Sequence, residues 1–258
     1  MNRFLRISLS AVAGLAVLSC TPKKDEKKED PAIGFNVTRV FPHDRTAFTQ
    51  GLTIDGGRLF ESTGQDASWI AEVDIVSGKQ TKRIQLEKKY FGEGICILNR
   101  KIYQLTWKSH TGFIYDVKTY AKKGEFSYPY EGWGITHDGK RLIVSDGTDK
   151  IHFLDTASLK ETSSISVRGA SGALQNINEL EYIEGYIYAN QWQTPFIFKI
   201  DPATGNVVGR LDFSVIAEKM RVAYSNSDVL NGIAYERKSK LILITGKLWP
   251  NLFAIKLK

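Results

Sequence analysis

Short apolar segments separated by turn residues recur along this chain of 258 residues, and five of them begin at a similar two-residue step. In each step a polar or aromatic residue precedes a Gly, or once a Glu, which opens the apolar segment. The steps are Gln50-Gly51, Glu93-Gly94, Trp133-Gly134, Asn178-Glu179 and Asn231-Gly232, and they lie 43, 40, 45 and 53 residues apart. A repeat of roughly 40–45 residues that contains only strand patterns is typical of the blades of a β-propeller.

The residues inside each repeat support the same interpretation. Turn-forming residues follow the step, as in Asp55-Gly56-Gly57, and they tolerate the positive φ angles of tight hairpins. In four repeats an Asp ends a later apolar segment, 21 to 23 residues after the step: Asp74, Asp116, Asp155 and Asp201. This constant spacing predicts blades of antiparallel strands.

The fifth repeat is incomplete, because the chain ends 26 residues after Gly232 and leaves no room for a fourth strand. A propeller hides its sheet edges by closing the ring, and the segment 34–41 alternates apolar and polar residues before the first step. We therefore predict an all-β fold over residues 34–258. It is a five-bladed propeller of four-stranded antiparallel blades, closed by its N-terminal strand.

One stretch, 212–229, lies outside the repeat. Its apolar residues Phe213, Ile216, Ala217 and Met220 have helical spacing. The spacing predicts a short helix over one rim, for packing or for covering a pocket.

The N-terminus is typical of an exported bacterial lipoprotein. Arg3 and Arg6 precede an apolar run that is too short to span a membrane, and Val17-Leu18-Ser19-Cys20 resembles a lipobox. We expect a signal peptide over 1–20, lipidation of Cys20, and a disordered charged tether over 21–33. Ordinary signal cleavage nearby is the alternative. The expected location is the periplasm or the outer membrane, with the lipid on Cys20 as the membrane anchor.

Composition narrows the function classes. The formal net charge is +7, but the basic residues are scattered, so we expect no nucleic-acid partner. Cys96 is the only cysteine besides Cys20. A lipidated chain therefore has no intramolecular disulfide and no zinc site of the Cys type. The apolar surroundings of Cys96 predict a buried, inert thiol.

The step residues are candidates for a functional site, because the first strand of every blade lines the central channel. Antiparallel pairing returns the end of the second strand to the start of the first, which adds residues such as Trp107 to the same mouth. The candidate ring is Phe48, Gln50, Glu93, Trp107, Trp133, Asn178, Trp192, Asn231 and Lys247. One carboxylate, neutral amides and an aromatic wall suit a small polar ligand.

Other interpretations of this ring are open. Trp in a propeller commonly packs between blades, and Gln or Asn at strand starts commonly satisfies backbone groups. Glu93, Asn178 and Asn231 could bind Ca²⁺ in a metal-dependent hydrolase, although calcium sites usually gather several carboxylates. A non-catalytic propeller that binds a peptide or a partner protein is a further alternative.

Nine motifs occur in order along residues 35–258: Phe48-Thr-Gln-Gly-Leu52, Tyr90-Phe-Gly-Glu-Gly94, Leu105-Thr-Trp-Lys108, Gly132-Trp-Gly134, Ser145-Asp-Gly147, Asn178-Glu-Leu-Glu181, Ala189-Asn-Gln-Trp192, Leu230-Asn-Gly-Ile-Ala234 and Thr245-Gly-Lys-Leu-Trp249. Together they resemble the plant-type glutaminyl-peptide cyclotransferases, also called glutamine cyclotransferases. The resemblance implies a five-bladed propeller. It also implies an acyltransferase that converts the N-terminal glutamine of peptides or proteins to pyroglutamate and releases ammonia, with no metal or other cofactor. We expect a monomer.

The resemblance also implies roles for individual residues. Glu93 corresponds to a carboxylate that moves protons. The polar groups of the substrate pocket correspond to Gln50, Asn178 and Lys247. Its aromatic lining corresponds to Phe48, Phe91, Trp107, Trp133 and Trp192. Asn231 is a possible further pocket residue. The N-terminus departs from a plant secretory signal, which leaves the location and the physiological substrate open.

Overall fold

The computed structural model describes residues 29–65 and 67–258, so the predicted signal peptide, with Cys20, and the first part of the tether lie outside the described residues. The described part is built almost entirely of strands. In chain order they are β1 (Phe35–Pro42), β2 (Thr49–Asp55), β3 (Arg58–Thr63), β4 (Trp69–Asp74), β5 (Lys79–Gln85), β6 (Gly92–Leu98), β7 (Lys101–Thr106), β8 (Thr111–Asp116), β9 (Lys122–Ser127), β10 (Ile135–His137), β11 (Arg141–Ser145), β12 (Lys150–Asp155), β13 (Glu161–Ser166), β14 (Arg168–Gly169), β15 (Gly172–Ala173), β16 (Ile177–Ile183), β17 (Tyr186–Gln191), β18 (Phe196–Ile200), β19 (Val207–Asp212), β20 (Leu230–Glu236), β21 (Leu241–Gly246) and β22 (Asn251–Leu257).

The strands form five antiparallel sheets of four strands each, which confirms the predicted five-bladed propeller. The first four blades are β2–β5, β6–β9, β10–β13 and β16–β19, and β14 and β15 form a small hairpin after the third blade. The fifth blade combines β20, β21 and β22 with the N-terminal strand β1. Phe35 lies opposite Leu257 and Pro42 lies opposite Asn251, so β1 covers the whole outer edge of β22. Closure by the N-terminal strand is therefore confirmed.

The chain is also held just before β1, within the stretch predicted as tether. The backbone N–H of Ile33 donates to Arg210 O at 2.8 Å, and Arg210 N–H donates to Pro31 O at 2.8 Å. These bonds attach residues 31–33 to β19 of the fourth blade before the chain enters the fifth. The ordered segment thus begins before residue 34, the predicted boundary. A segment of three residues that includes a Pro shows no periodicity, so nothing in the sequence indicates this pairing.

Close approach of the inner strands explains the Gly of the repeated step. The inner strands of neighbouring blades contact one another around the ring, from β2 through β6, β10, β16 and β20 back to β2. A Cβ atom on Gly51 would lie 2.5 Å from Ile95 N, which no side chain tolerates. In the fourth blade Glu179 takes this position. Its carboxylate accepts the N–H groups of Leu52 at 3.2 Å and Ile233 at 2.9 Å, which joins three blades at the axis.

Bulges in the first hairpin of four blades contain the residues of the step. The pairing register shifts at Thr49/Gly51, Gly92/Ile95, Ile177/Leu180 and Leu230/Ile233. A bulge inserts an unpaired residue and turns its side chain away from the regular alternation of the strand. Gln50, Glu93 and Asn178 therefore leave the sheet faces and become available to the channel mouth.

The predicted helix is present as α1 (Ser214–Ala223), between the fourth and fifth blades. Ser214 N–H donates to Asp212 Oδ1 at 2.8 Å at its start, and Met220 is buried on its inner side. Ile216 and Ala217 pack against the core formed by the last two blades. Within residues 29–65 and 67–258, no helix has the length and apolarity that crossing a bilayer requires.

Candidate active site

A cavity of about 350 Å³ opens at the channel mouth where the bulged residues meet. The structure brings together here all nine residues that the sequence assigned to catalysis or substrate binding: Phe48, Gln50, Phe91, Glu93, Trp107, Trp133, Asn178, Trp192 and Lys247. Gln193, Asp228 and Val229 also line it. Sequence reasoning missed these three because they lie outside the repeat positions, although each is close to one in the chain.

Asn231, predicted as a possible pocket residue, does not line this cavity. Its side-chain Nδ2 donates to Thr49 O at 3.0 Å, and the residue is fully buried between the fifth and first blades. The amide is thus used to close the ring. This position also separates Asn231 from the cavity in which the calcium alternative would need it.

Glu93 lines the cavity and is only 4% exposed. Gln50 Nε2 donates to its Oε1 at 3.2 Å, and its backbone oxygen accepts Ser62 Oγ at 2.6 Å. Burial raises the pKa of the Glu93 carboxyl well above its usual value of 4.5; the positive charge of Lys247 opposes this and the negative charge of Glu131 adds to it. A carboxylate whose pKa is raised in this way is a stronger proton acceptor than an ordinary surface carboxylate.

Lys247 approaches from the fifth blade and is also 4% exposed. Its ammonium lies 4.6 Å from the centre of the Phe48 ring, a cation–π distance. Burial lowers the pKa of Lys247, while the negative charges of Glu93 and Asp228 raise it. Its backbone is fixed, since Lys247 N–H donates to Val229 O and Asp228 N–H donates to Lys247 O, both at 2.9 Å.

The aromatic wall has two parts. Phe48, Phe91 and Trp107 form a row with ring centres 6.4 Å and 5.6 Å apart. Trp133 and Trp192 meet edge to face at 5.6 Å. Gly147 supports this pair, because a Cβ atom there would lie 2.5 Å from the indole of Trp133.

Glu131 joins the two parts of the wall. Its Oε2 accepts the indole N–H of Trp107 at 2.7 Å and that of Trp133 at 2.9 Å. The two indoles are thereby held in a fixed orientation by one carboxylate. Glu131 lies two residues before Trp133, but nothing in the sequence indicates its contact with Trp107.

Two acceptor atoms in the cavity are buried without a hydrogen-bond partner among the described residues: Gln50 Oε1 and Asn178 Oδ1. Unpaired buried polar atoms are uncommon in folded proteins, and at a cavity they indicate places where a ligand makes hydrogen bonds. They are suited to the N–H groups of an amide or an amine. Over the same described ranges, no cluster of three His, Cys, Asp or Glu side chains has the arrangement of a metal site.

Comparison with known proteins identifies the family. A model of the glutamine cyclotransferase family matches residues 9–257 of the chain. The chain belongs to the glutamine cyclotransferase family. A glutaminyl-peptide cyclotransferase from Arabidopsis thaliana is 39% identical to this chain over 226 residues, which cover 86% of this chain and 71% of the plant protein.

A solved structure extends the likeness to the fold. The crystal structure of Myxococcus xanthus glutaminyl cyclase superposes on this glutamine cyclotransferase with a TM-score of 0.84 at 34% identity, covering 89% of this chain and 99% of that one. The resemblance carried by the nine sequence motifs is therefore confirmed over the whole propeller.

Proposed function

We propose that the chain, as a glutaminyl-peptide cyclotransferase, uses Glu93 to carry the proton that must move from the substrate's α-amine to the departing ammonia. The observation that supports this most directly is the position of Glu93. It is the buried carboxylate of an aromatic cavity, next to the amide of Gln50, with a raised pKa.

The reaction needs a proton carrier because of the substrate's own chemistry. An N-terminal amine has a pKa of about 7.7–8.0, so much of it is protonated at neutral pH and cannot attack. Ionised Glu93 accepts the proton, and the freed nitrogen attacks the side-chain amide carbon. The new C–N bond closes the five-membered ring. Glu93 returns this proton to the amide nitrogen, the bond between that nitrogen and the carbon breaks as the oxyanion collapses, and NH3 leaves. The ring nitrogen still carries one proton more than the lactam keeps, and Glu93 takes it and passes it to the departing NH3, so the products are the neutral lactam and ammonium.

The polar groups of the cavity stabilise this sequence. Attack places negative charge on the amide oxygen, and the buried ammonium of Lys247 and the N–H groups of Gln50 and Asn178 are the available donors. The unpaired oxygens Gln50 Oε1 and Asn178 Oδ1 accept N–H groups of the substrate. Charge stabilisation is stronger here than in open solvent because the side chains of Gln50, Asn178 and Lys247 are buried.

The aromatic wall positions the substrate. Cyclisation requires the glutamine side chain to fold back on its own amine, and holding that conformation removes most of the entropy cost of ring closure. Phe91, Trp107 and Trp133 form rigid surfaces for this purpose, and Glu131 fixes the two indoles relative to each other.

Purified chain beginning at residue 29 is expected to release ammonia from glutaminyl dipeptides at pH 8, with pyroglutamyl product confirmed by mass spectrometry. The rate should persist in the presence of EDTA, since the proposed steps use only side chains of the cavity. A matched dipeptide with N-terminal asparagine is the control, because it would have to close a strained four-membered ring. Folded protein that is inactive on every glutaminyl peptide would contradict the proposal, and loss of activity with EDTA would favour the calcium-dependent alternative.

We also propose that the chain is an exported lipoprotein, anchored at Cys20 in the periplasm or the outer membrane, and that it acts as a monomer. The lipobox-like residues 17–20 and the charged segment that follows them support the anchor. A Cys20→Ala variant should no longer incorporate labelled fatty acid and should leave the membrane fraction. Equal labelling of parent and variant would sink the idea.

A further inference from the structure

A second cavity of about 440 Å³ adjoins the first at the channel mouth. The two share a ridge of three residues: Gln193, Asp228 and Val229. Helix α1 forms the opposite wall of the second cavity through Ser214, Ala217, Glu218 and Arg221, and Ser227 also lines it. We call this second cavity the α1 groove.

The ridge between the cavity and the α1 groove is firmly held. The two backbone bonds between Lys247 and the pair Asp228–Val229 fix it to the end of β21, and Trp249 Nε1 donates to Asp228 O at 2.8 Å. Lys247 therefore belongs to the same hydrogen-bonded unit as the wall of the α1 groove. The distance between the reacting cavity and the α1 groove is therefore fixed for a substrate that crosses the ridge.

The α1 groove contains unused polar groups that suit a peptide backbone. Ser227 Oγ is buried there and has no hydrogen-bond partner within the described part of the chain. Gln193 is exposed on the ridge with φ of 65°, a conformation that is uncommon for residues other than Gly. Gln193 lines both cavities, so its side-chain amide can form hydrogen bonds with a peptide bond of a substrate that crosses the ridge.

The charge of the α1 groove limits which side chains it accepts. Its lining has two carboxylates, Glu218 and Asp228, and one guanidinium, that of Arg221. Arg221 is already engaged, since its Nη2 lies 2.6 Å from Glu218 Oε1. One net negative charge therefore remains, at the ridge, and it disfavours acidic side chains.

We propose that the α1 groove binds the residues that follow the N-terminal glutamine, as an extended segment with neutral or basic side chains. This inference rests on the proposed function. The reacting cavity, about 350 Å³, is at the small end of ligand pockets, so it suits one terminal residue. The rest of a peptide has to leave across the mouth, and the α1 groove lies next to that exit. The enzyme would thus prefer peptides to single glutamine derivatives.

The test compares kcat/KM for two substrates, glutamine amide and a five-residue peptide with N-terminal glutamine and lysine at the third position. In the parent the peptide is expected to be better by roughly tenfold, the effect of one or two additional hydrogen bonds. Glu218→Trp fills the α1 groove from an exposed helix position and should bring the ratio of the two values close to one. Arg221→Trp, on the same side of α1, should do the same.

Lys219→Trp is the matched control, because Lys219 is exposed on α1 but does not line the α1 groove. It should keep the parent's ratio. The proposal is overturned if the parent shows no preference for the peptide, or if both groove variants keep the ratio within twofold. It is also overturned if Lys219→Trp lowers the ratio as much as they do. Failure of the proposed function has a different result, since the parent would then release no ammonia from either substrate.

A second peptide with glutamate in place of the third-position lysine tests the charge of the α1 groove. It is expected to have a severalfold lower kcat/KM than the lysine peptide in the parent, and the difference should narrow as salt is raised. Equal values at low salt would overturn the proposed preference for neutral or basic side chains.

Discussion

Replacing Glu93 by Gln is expected to lower kcat by roughly 10²–10⁴, the usual contribution of a general acid–base group. The amide keeps the shape of the side chain and its hydrogen bond with Gln50, but it cannot accept and return a proton. KM should change little, because the aromatic wall is untouched. Steady-state ammonia release by purified variant and parent measures the effect.

The matched control is Glu87→Gln, which removes a carboxylate from an exposed position paired with Lys89 outside the cavity. It should retain the parent's kcat. A folded Glu93→Gln variant with turnover within a few-fold of the parent would move the proton transfer to another group.

The pH dependence adds a second measurement on the same variant. Since burial raises the pKa of Glu93 above 4.5, activity of the parent should rise with pH through that raised value. The activity of the Glu93→Gln variant should lack this rise with pH. The stability of the fold should change with pH in the opposite direction to the activity. A carboxyl whose pKa is higher in the folded state than in the unfolded state stabilises the fold fully below its unfolded-state pKa. It loses this contribution as the pH rises through its folded-state pKa. Glu93→Gln should therefore melt at or above the parent at pH 7, with a gap that shrinks towards pH 4.5.

Removing β1 is expected to prevent stable folding. A chain that begins at His43 leaves β22 as an open edge and loses a ladder of seven paired residues, together with the stacking of Phe35 on Phe213 at 4.5 Å. With about 0.7 kcal/mol for each of the seven paired positions, the loss is about 5 kcal/mol, similar to the whole unfolding free energy of many domains. If the shortened chain still folds, the midpoint of its thermal unfolding should lie roughly 10–20 °C below that of the parent, or the transition should lose its cooperativity.

Two longer chains serve as controls. A chain that begins at Glu29 keeps every described contact and should melt like the parent. A chain that begins at Gly34 keeps β1 but loses the attachment of residues 31–33 to β19, so its midpoint should fall by only a few degrees. If the chain beginning at His43 melts within about 3 °C of the one beginning at Glu29, closure by β1 contributes little to stability.

The sequence predicted the blades well, because a propeller repeats one local pattern. Hairpin turns and strand alternation are local, and the repeat places Gln50, Glu93 and Asn178 at equivalent positions, so their convergence follows from the symmetry of the ring. Asn231 obeys the same repeat and yet faces Thr49, which shows the limit of that reasoning. Symmetry gives the end of the channel at which a residue lies, but neighbouring side chains decide where it points.

Contacts between distant segments were not predictable in the same way. Glu131 holds two indoles that belong to neighbouring blades, and Glu179 accepts N–H groups from two other blades. The pairing of residues 31–33 with β19 likewise depends on a strand about 180 residues away. Such contacts leave no trace in local periodicity, since they depend on atoms that only the closed ring brings together.

The sequence by itself determined the five-bladed fold, its closure by the N-terminal strand and the identity of nine residues around one cavity, because each follows from a repeated local pattern or from motifs in a fixed order. Only the tertiary structure decided how deeply Glu93 is buried, and therefore the direction of its pKa shift. It also decided how Glu131 orients the wall and where the α1 groove meets the cavity. These properties depend on distances between groups far apart in the chain, and those distances are set when the blades pack around a common axis.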